Sequence, residues 1–82
     1  MKTYAYSVHT QVAADTRVVY ETDNLHNAIV AFLKAVGCDH QVDLTDNSTG
    51  EVLALHTDTE DYCADDLLVP MALGAFELLT ED

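Results

Sequence analysis

The spacing of hydrophobic positions changes several times along this chain of 82 residues and divides it into elements. Residues 3–10 and 16–22 are rich in Tyr, Val and Thr, which predicts two neighbouring strands. From residue 25 the apolar positions recur three and four residues apart, which predicts an amphipathic helix. Asp23 or Asn24 can cap its start, and Gly37 can end it in the left-handed conformation. The positions that share the apolar face of this helix are Leu25, Ala28, Ile29, Phe32, Leu33 and Val36.

A second pair of strands follows this helix. Val42 and Leu44 alternate with polar side chains over residues 40–46, and a Val/Leu/Ala-rich stretch occupies residues 51–57. Between them, residues 47–50 have the composition of a turn. This part of the chain is therefore predicted to be a β-hairpin.

The last part of the chain predicts a second helix. Pro70 is tolerated in a first helical turn, so we expect the helix to begin near this residue. The apolar stretch of residues 67–79 is too short for a membrane span and is predicted to be core. We therefore predict one α+β domain over residues 1–82, a small antiparallel β-sheet with two helices on one face in the order ββα-ββα. The residues at helical spacing are Met71, Ala72, Ala75, Phe76 and Leu79.

Charge and size narrow the possible functions. The chain has 15 Asp and Glu against 3 Lys and Arg, a formal charge of −12, yet 49% of its residues are hydrophobic. So much apolar sequence excludes a disordered acidic tail.

Negative charge repels phosphate and anionic lipid, so we expect a basic protein as partner and no direct binding to nucleic acid or membranes. A chain this short leaves little room for a catalytic cleft, so we predict a protein that is not an enzyme. We find no secretory signal and expect a cytoplasmic protein in which Cys38 and Cys63 are free thiols.

The acidic residues are unevenly distributed. Nine of the 15 lie between positions 38 and 66, whereas the first predicted helix has none. Charge that served only solubility would be spread over every exposed face. Carboxylates on one face of a strand lie about 6.6 Å apart, comparable with neighbouring phosphates on one nucleic-acid strand. Tyr62, inside this segment, is a candidate aromatic anchor, or alternatively a ring packed on the local core. The predicted partner-binding residues are Asp43, Asp46, Glu51, Asp58, Glu60, Asp61, Tyr62, Asp65 and Asp66.

The strand at residues 18–22, the helix at 25–36 and the hairpin at 42–53 together resemble the small ββαββ proteins common in bacteriophage and mobile-element genomes. With its small size and acidic charge, the chain is similar to phage-encoded inhibitors, including anti-CRISPR proteins and other DNA mimics. Such inhibitors share a strategy and not a residue motif, so no residue role is transferred. The resemblance implies a protein that blocks the nucleic-acid site of a host defence protein, such as a CRISPR effector or another nuclease, in the bacterial cytoplasm.

Three other interpretations remain open. Ten Asp against five Glu, with only two Lys, also fits an ordinary domain of a halophile. Cys38 and His40 could chelate a metal in a small regulatory module, but no Cys-x-x-Cys or His-x-x-x-His pair supports this, and we predict no metal or cofactor. The other face of the first helix could form a homodimer contact or a second partner site. The residues on that face are His26, Asn27, Val30, Ala31, Lys34 and Ala35.

Overall fold

A computed structural model describes residues 3–12, 15–37 and 41–80. Five strands and two α-helices confirm the predicted α+β class. A short 3₁₀ helix leads directly into the second α-helix. The elements are β1 (Tyr6–Val12), β2 (Asp15–Thr22), α1 (Leu25–Val36), β3 (Val42–Asp46), β4 (Glu51–His56), β5 (Asp61–Cys63), the 3₁₀ helix (Asp65–Leu67) and α2 (Leu68–Thr80).

The strands form one antiparallel sheet in the order β2-β1-β3-β4-β5, with β2 and β5 at its edges. The predicted order ββα-ββα is therefore incomplete, because the acidic segment before the last helix contains β5. A tight turn makes this pairing possible. The backbone N–H of Thr57 donates to the carbonyl of Glu60 (2.8 Å), and the Thr57 hydroxyl accepts from the Glu60 N–H (3.0 Å).

Two strands of the sheet contain an extra residue. Val8 pairs with Tyr20 but His9 pairs with Val18, which leaves Val19 as a bulge in the edge strand β2. A second register shift, between β3 and β4, leaves Leu53 unpaired in the same way. Such bulges locally bend the strand and increase its twist.

The core lies between the sheet and α1. Val8, Val42 and Leu44 are fully buried on the sheet, opposite Ile29 of the helix. These positions follow the alternation of the strands and the helical spacing of α1, as predicted. Burying such side chains supplies most of the driving force for folding, about 1.5 to 3 kcal/mol each. The buried hydrophobic residues are Val8, Ala28, Ile29, Phe32, Val42, Leu44, Ala54 and Leu67.

The two ends of α1 agree with the prediction to different degrees. The Asn24 side chain accepts a hydrogen bond from the Asn27 N–H (3.0 Å), which confirms the predicted cap. Gly37 ends the helix with φ −72° and ψ −13°, so its predicted left-handed conformation is wrong. The Gly37 N–H instead donates to the Lys34 carbonyl (3.2 Å), a tightened last turn that any residue can adopt.

The second helix starts near Pro70, as predicted, but its packing follows the prediction only in part. It begins at Leu68, and Pro70 falls in the first turn, where backbone N–H groups have no helical partner. It packs mainly against α1, so the predicted arrangement of two helices on one sheet face is matched only in part. Gly74 makes this packing possible, because its missing side chain lets the backbone approach Ile29.

The predicted core role of the last helix is wrong for its outward face. Phe76 and Leu79 are 65% and 85% exposed. The face of α1 that the sequence offered for a homodimer contact or a second partner site is partly occupied by α2. Val30 lies near Gly74, and the His26 ring bonds to the Glu77 carboxylate of α2.

Among the described residues, no helix has the length and hydropathy of a membrane span.

Candidate functional site

Five of the predicted site residues lie together along one edge of the sheet. Asp58 and Glu60 are in the turn before β5, Asp61 is in β5, and Asp65 and Asp66 follow in the 3₁₀ helix. All five are exposed. We call them the acidic edge.

The acidic edge is separated from the one cation of the described strands. Arg17 lies on β2, at the opposite edge of the sheet, four strand spacings or about 19 Å away. The imidazole of His56 bonds to the Asp61 carboxylate, so this acid is positioned by its cross-strand neighbour on β4.

Tyr62 lies on β5 between members of the acidic edge. Strand alternation directs its ring to the sheet face opposite that of Asp61. The residue is 50% exposed, so its ring is available to a partner but also covers part of the protein.

An apolar cleft of about 270 Å³ lies between the helices and the acidic end of the sheet. Met71 of α2 lines it from one side, and His56 and Asp61 line it from the strands. An apolar cleft with a carboxylate at its rim suits a Lys or Arg side chain, whose stem is aliphatic and whose head is charged. The lining residues are Phe32, Leu33, Val36, Leu55, His56, Asp61, Tyr62, Cys63 and Met71.

Cys63, in the wall of this cleft, is a free thiol and a poor nucleophile. Burial raises the pKa of the Cys63 thiol, and the negative charge of Asp65 raises the pKa further. A raised pKa lowers the fraction of reactive thiolate at neutral pH. Burial is the larger of these two causes.

Asp46 and Glu51 lie away from the acidic edge. They are at the β3–β4 turn, whereas Asp58 follows the other end of β4, about 20 Å along the strand. The Asp46 carboxylate accepts hydrogen bonds from the Ser48 N–H (2.9 Å) and hydroxyl (2.7 Å). These bonds lower the pKa of Asp46. Asp46 therefore stabilises its own turn.

Asp43 lies near the centre of the sheet face that α1 does not cover. Its carboxylate is 2.9 Å from the His9 Nδ1 atom and accepts a hydrogen bond from the Thr45 hydroxyl (3.0 Å). His9 and Asp43 lie directly opposite each other on β1 and β3. This polar cluster was missed at the level of sequence, because the pairing joins residues 34 positions apart. The available signal was that both residues occupy strand positions that face away from the core.

The described residues contain no group of three His, Cys, Asp or Glu side chains that could hold a metal ion. Cys38 and His40, which the sequence suggested as a chelating pair, lie outside the described residues, as does Asp39. No family model, curated protein or solved structure matches this chain. Its function must therefore be inferred from the surface itself.

Proposed function

We propose that this protein is a non-enzymatic inhibitor that binds the basic nucleic-acid-binding site of a host defence protein by DNA mimicry. The observation that carries the proposal is the acidic edge, in which five exposed carboxylates lie within nine residues, in the short edge strand β5 and the segments on either side of it. A CRISPR effector or another nuclease has the Lys- and Arg-lined groove that such a surface would fill.

The energetics of the acidic edge support a binding role. Two like charges about 6 Å apart repel by about 0.7 kcal/mol in water and several-fold more at a surface of lower dielectric. Salt screens this repulsion only over about 8 Å, so near neighbours still feel it. A partner with the opposite charge relieves the repulsion and is steered toward the edge at low salt.

The cleft beside the acidic edge supplies the apolar part of the proposed contact. A Lys or Arg of the partner can lay its stem against Met71 and place its charge near Asp61. Tyr62 adds aromatic surface on the other side of β5. We include Tyr62 in the proposed contact because it lies on the edge strand β5. We leave out Asp46 and Glu51, which lie at the far turn, and Asp43, which lies two strands in from this edge and is already bonded to His9 and Thr45.

The test is a salt-dependent capture and competition experiment. Tagged protein is incubated with bacterial lysate at low salt, captured proteins are eluted with increasing NaCl, and each nuclease recovered is purified for a DNA competition assay. We expect the wild-type protein to displace labelled duplex DNA from that nuclease, and its affinity to fall as salt rises. Asp65→Asn combined with Asp66→Asn should weaken binding at least tenfold at low salt, about 1.4 kcal/mol.

The control is a double variant at the opposite edge of the sheet. Asp15→Asn with Glu21→Gln on β2 removes the same charge from exposed positions and should leave binding within about twofold. Equal losses for the two double variants would show a general charge effect and contradict the proposal. Capture of no nucleic-acid-binding protein, or binding that does not depend on salt, would also contradict it.

A melting experiment separates this proposal from the halophile interpretation. A domain adapted to concentrated salt unfolds when salt is removed. We expect this protein to show a cooperative thermal transition in about 10 mM NaCl, with a midpoint only modestly below that in about 1 M NaCl, because screening relieves a limited set of repulsions. An unfolded circular dichroism spectrum at low salt would favour the halophile interpretation.

A further inference from the structure

The helix α2 is apolar on both of its sides. Its inward side packs Gly74 against α1, whereas its outward side exposes five large hydrophobic side chains by 57% to 85%. Glu77 is the one charged residue of this helix and bonds to His26 of α1. A helix that is hydrophobic all round is normally buried. The outward residues, which we call the outer stripe, are Leu68, Val69, Ala72, Leu73, Phe76 and Leu79.

We propose that the outer stripe is a homodimer interface, in which α2 of one chain packs on α2 of a second copy around a two-fold axis. Its large side chains together expose roughly 600 Å² of apolar surface, the upper end for the largest patch on a monomer. Two such stripes would bury at most about 1,200 Å² in total, the lower limit of specific protein interfaces. The contact is self-complementary, as a two-fold axis requires.

The absence of charged residues from the outer stripe favours a second copy of the chain over a basic target or a membrane surface as its partner. None of the six stripe residues is charged, so the stripe offers a basic target no pairing partner. A membrane-surface helix needs Lys or Arg on its polar face, and α2 has neither. An apolar contact with an identical stripe needs no charge pairing.

Repulsion between the two acidic chains does not prevent this contact. The helix has 13 residues and is about 20 Å long, so Asp65 and Asp66 lie about 10 Å from its middle. Two helices that cross at about 50° near Ala72 hold these ends farther apart than the screening length of about 8 Å at physiological salt. Ala72, the smallest residue of the stripe, allows the two backbones a close approach.

This geometry predicts a salt dependence opposite to that of the proposed inhibitor function. Added salt screens the repulsion between two chains of charge −12, so dimerisation should strengthen. Binding to a basic partner should weaken under the same change. The dimer does not depend on the proposed function, and either can fail without the other.

The test is sedimentation equilibrium of the full chain over about 1 to 200 μM in low and high NaCl. We expect the mass to rise with concentration from 9.0 kDa toward twice that value, at lower concentrations in high salt. Phe76→Glu should raise the dimer dissociation constant at least tenfold. Leu79→Gln, at the most exposed stripe position, gives a second test with little risk to folding. Circular dichroism checks that each variant is folded.

The matched controls lie outside the stripe. Val18→Glu changes an exposed apolar residue on β2 and should leave the dissociation constant within about twofold of wild type. Asp65→Asn with Asp66→Asn should dimerise at least as well as wild type. A mass that stays at 9.0 kDa at every concentration, species larger than a dimer, or a folded Phe76→Glu variant that dimerises normally would overturn the proposal.

Discussion

The three glycines of the chain occupy three different environments, and we expect replacement by alanine to change stability differently at each. A β-carbon at Gly74 would lie 2.8 Å from the Ile29 Cγ2 atom and 3.3 Å from the Leu33 Cδ1 atom. At Gly37 the nearest atom would be 3.5 Å away, and φ is −72°. At Gly50 there is open space, but φ is +75°.

Opposing effects set the magnitude at Gly74. Alanine in a helix interior is favoured over glycine by about 0.5 to 1 kcal/mol. Against this, the new methyl group would press on Ile29, which is fully buried and whose β-branched side chain has few alternative rotamers. Such overpacking costs about 1 to 3 kcal/mol. The difference between these two effects is a loss of about 0 to 2.5 kcal/mol, with its middle near 1 kcal/mol, which lowers Tm by roughly 4 to 8 °C for a domain of this size.

The other two glycines serve as comparisons for the loss of stability expected at Gly74. Gly37→Ala restricts the unfolded chain without a clash or a change of backbone, so stability should stay the same or rise by up to about 1 kcal/mol. Gly50→Ala strains a left-handed position by about 1 to 2 kcal/mol, partly offset by the same restriction of the unfolded chain.

The assay is thermal unfolding followed by circular dichroism at one fixed protein concentration, because dimerisation would make Tm depend on concentration. Gly37→Ala should melt at or above the wild-type temperature, and the other two variants should melt below it. A higher Tm for Gly74→Ala would show that α2 moves away from Ile29 at no cost. That result would refute the close packing of the two helices.

Two further predictions follow from the shifted pKa values. The hydrogen bonds from Ser48 lower the pKa of Asp46 in the folded state. At pH values above the ordinary pKa of 3.8, the charged carboxylate therefore makes its full contribution to the stability of the fold. This contribution is lost as pH falls through the lowered pKa. The Tm difference between wild type and Asp46→Ala should therefore be larger at about pH 7 than at about pH 2.5, and an equal difference at both would contradict this. Because the pKa of Cys63 is raised, we expect iodoacetamide to alkylate this thiol more slowly in the folded protein than in the urea-unfolded chain at about pH 8. The rate is measured by mass spectrometry of the Cys63 peptide. A faster rate in the folded protein would contradict the prediction.

The parts of the fold that were predictable from sequence are those in which a short segment has one apolar face and one polar face. Residues 25–36 alternate apolar and polar faces with helical spacing, so both the existence of α1 and its buried side could be predicted. The α2 pattern has no polar face, so its periodicity could not show which side packs inward. The orientation is set by Gly74, whose role depends on Ile29, 45 positions earlier.

The candidate site was predictable in composition but not in arrangement. The density of acid around β5 is visible in the sequence, whereas the strand itself has only three residues and includes an aspartate, which is rare in strands. Consecutive turns of an antiparallel sheet point to opposite ends. Asp46 and Asp58 are therefore separated although both lie within the predicted segment. Only the pairing of the strands reveals this.

The bulge at Val19 bears on the behaviour of this protein at high concentration. β2 is a long edge strand with exposed Val18, Val19 and Tyr20, a feature that invites pairing with other chains into aggregates. The extra residue twists this edge and interrupts the regular row of backbone hydrogen-bonding groups that another strand would need. Intermolecular repulsion from the net charge of −12 is a second protection, and it disappears near pH 4.2, where the net charge of the chain passes through zero. Colloidal stability at neutral pH is thus protected by both geometry and charge, and near pH 4.2 by geometry alone.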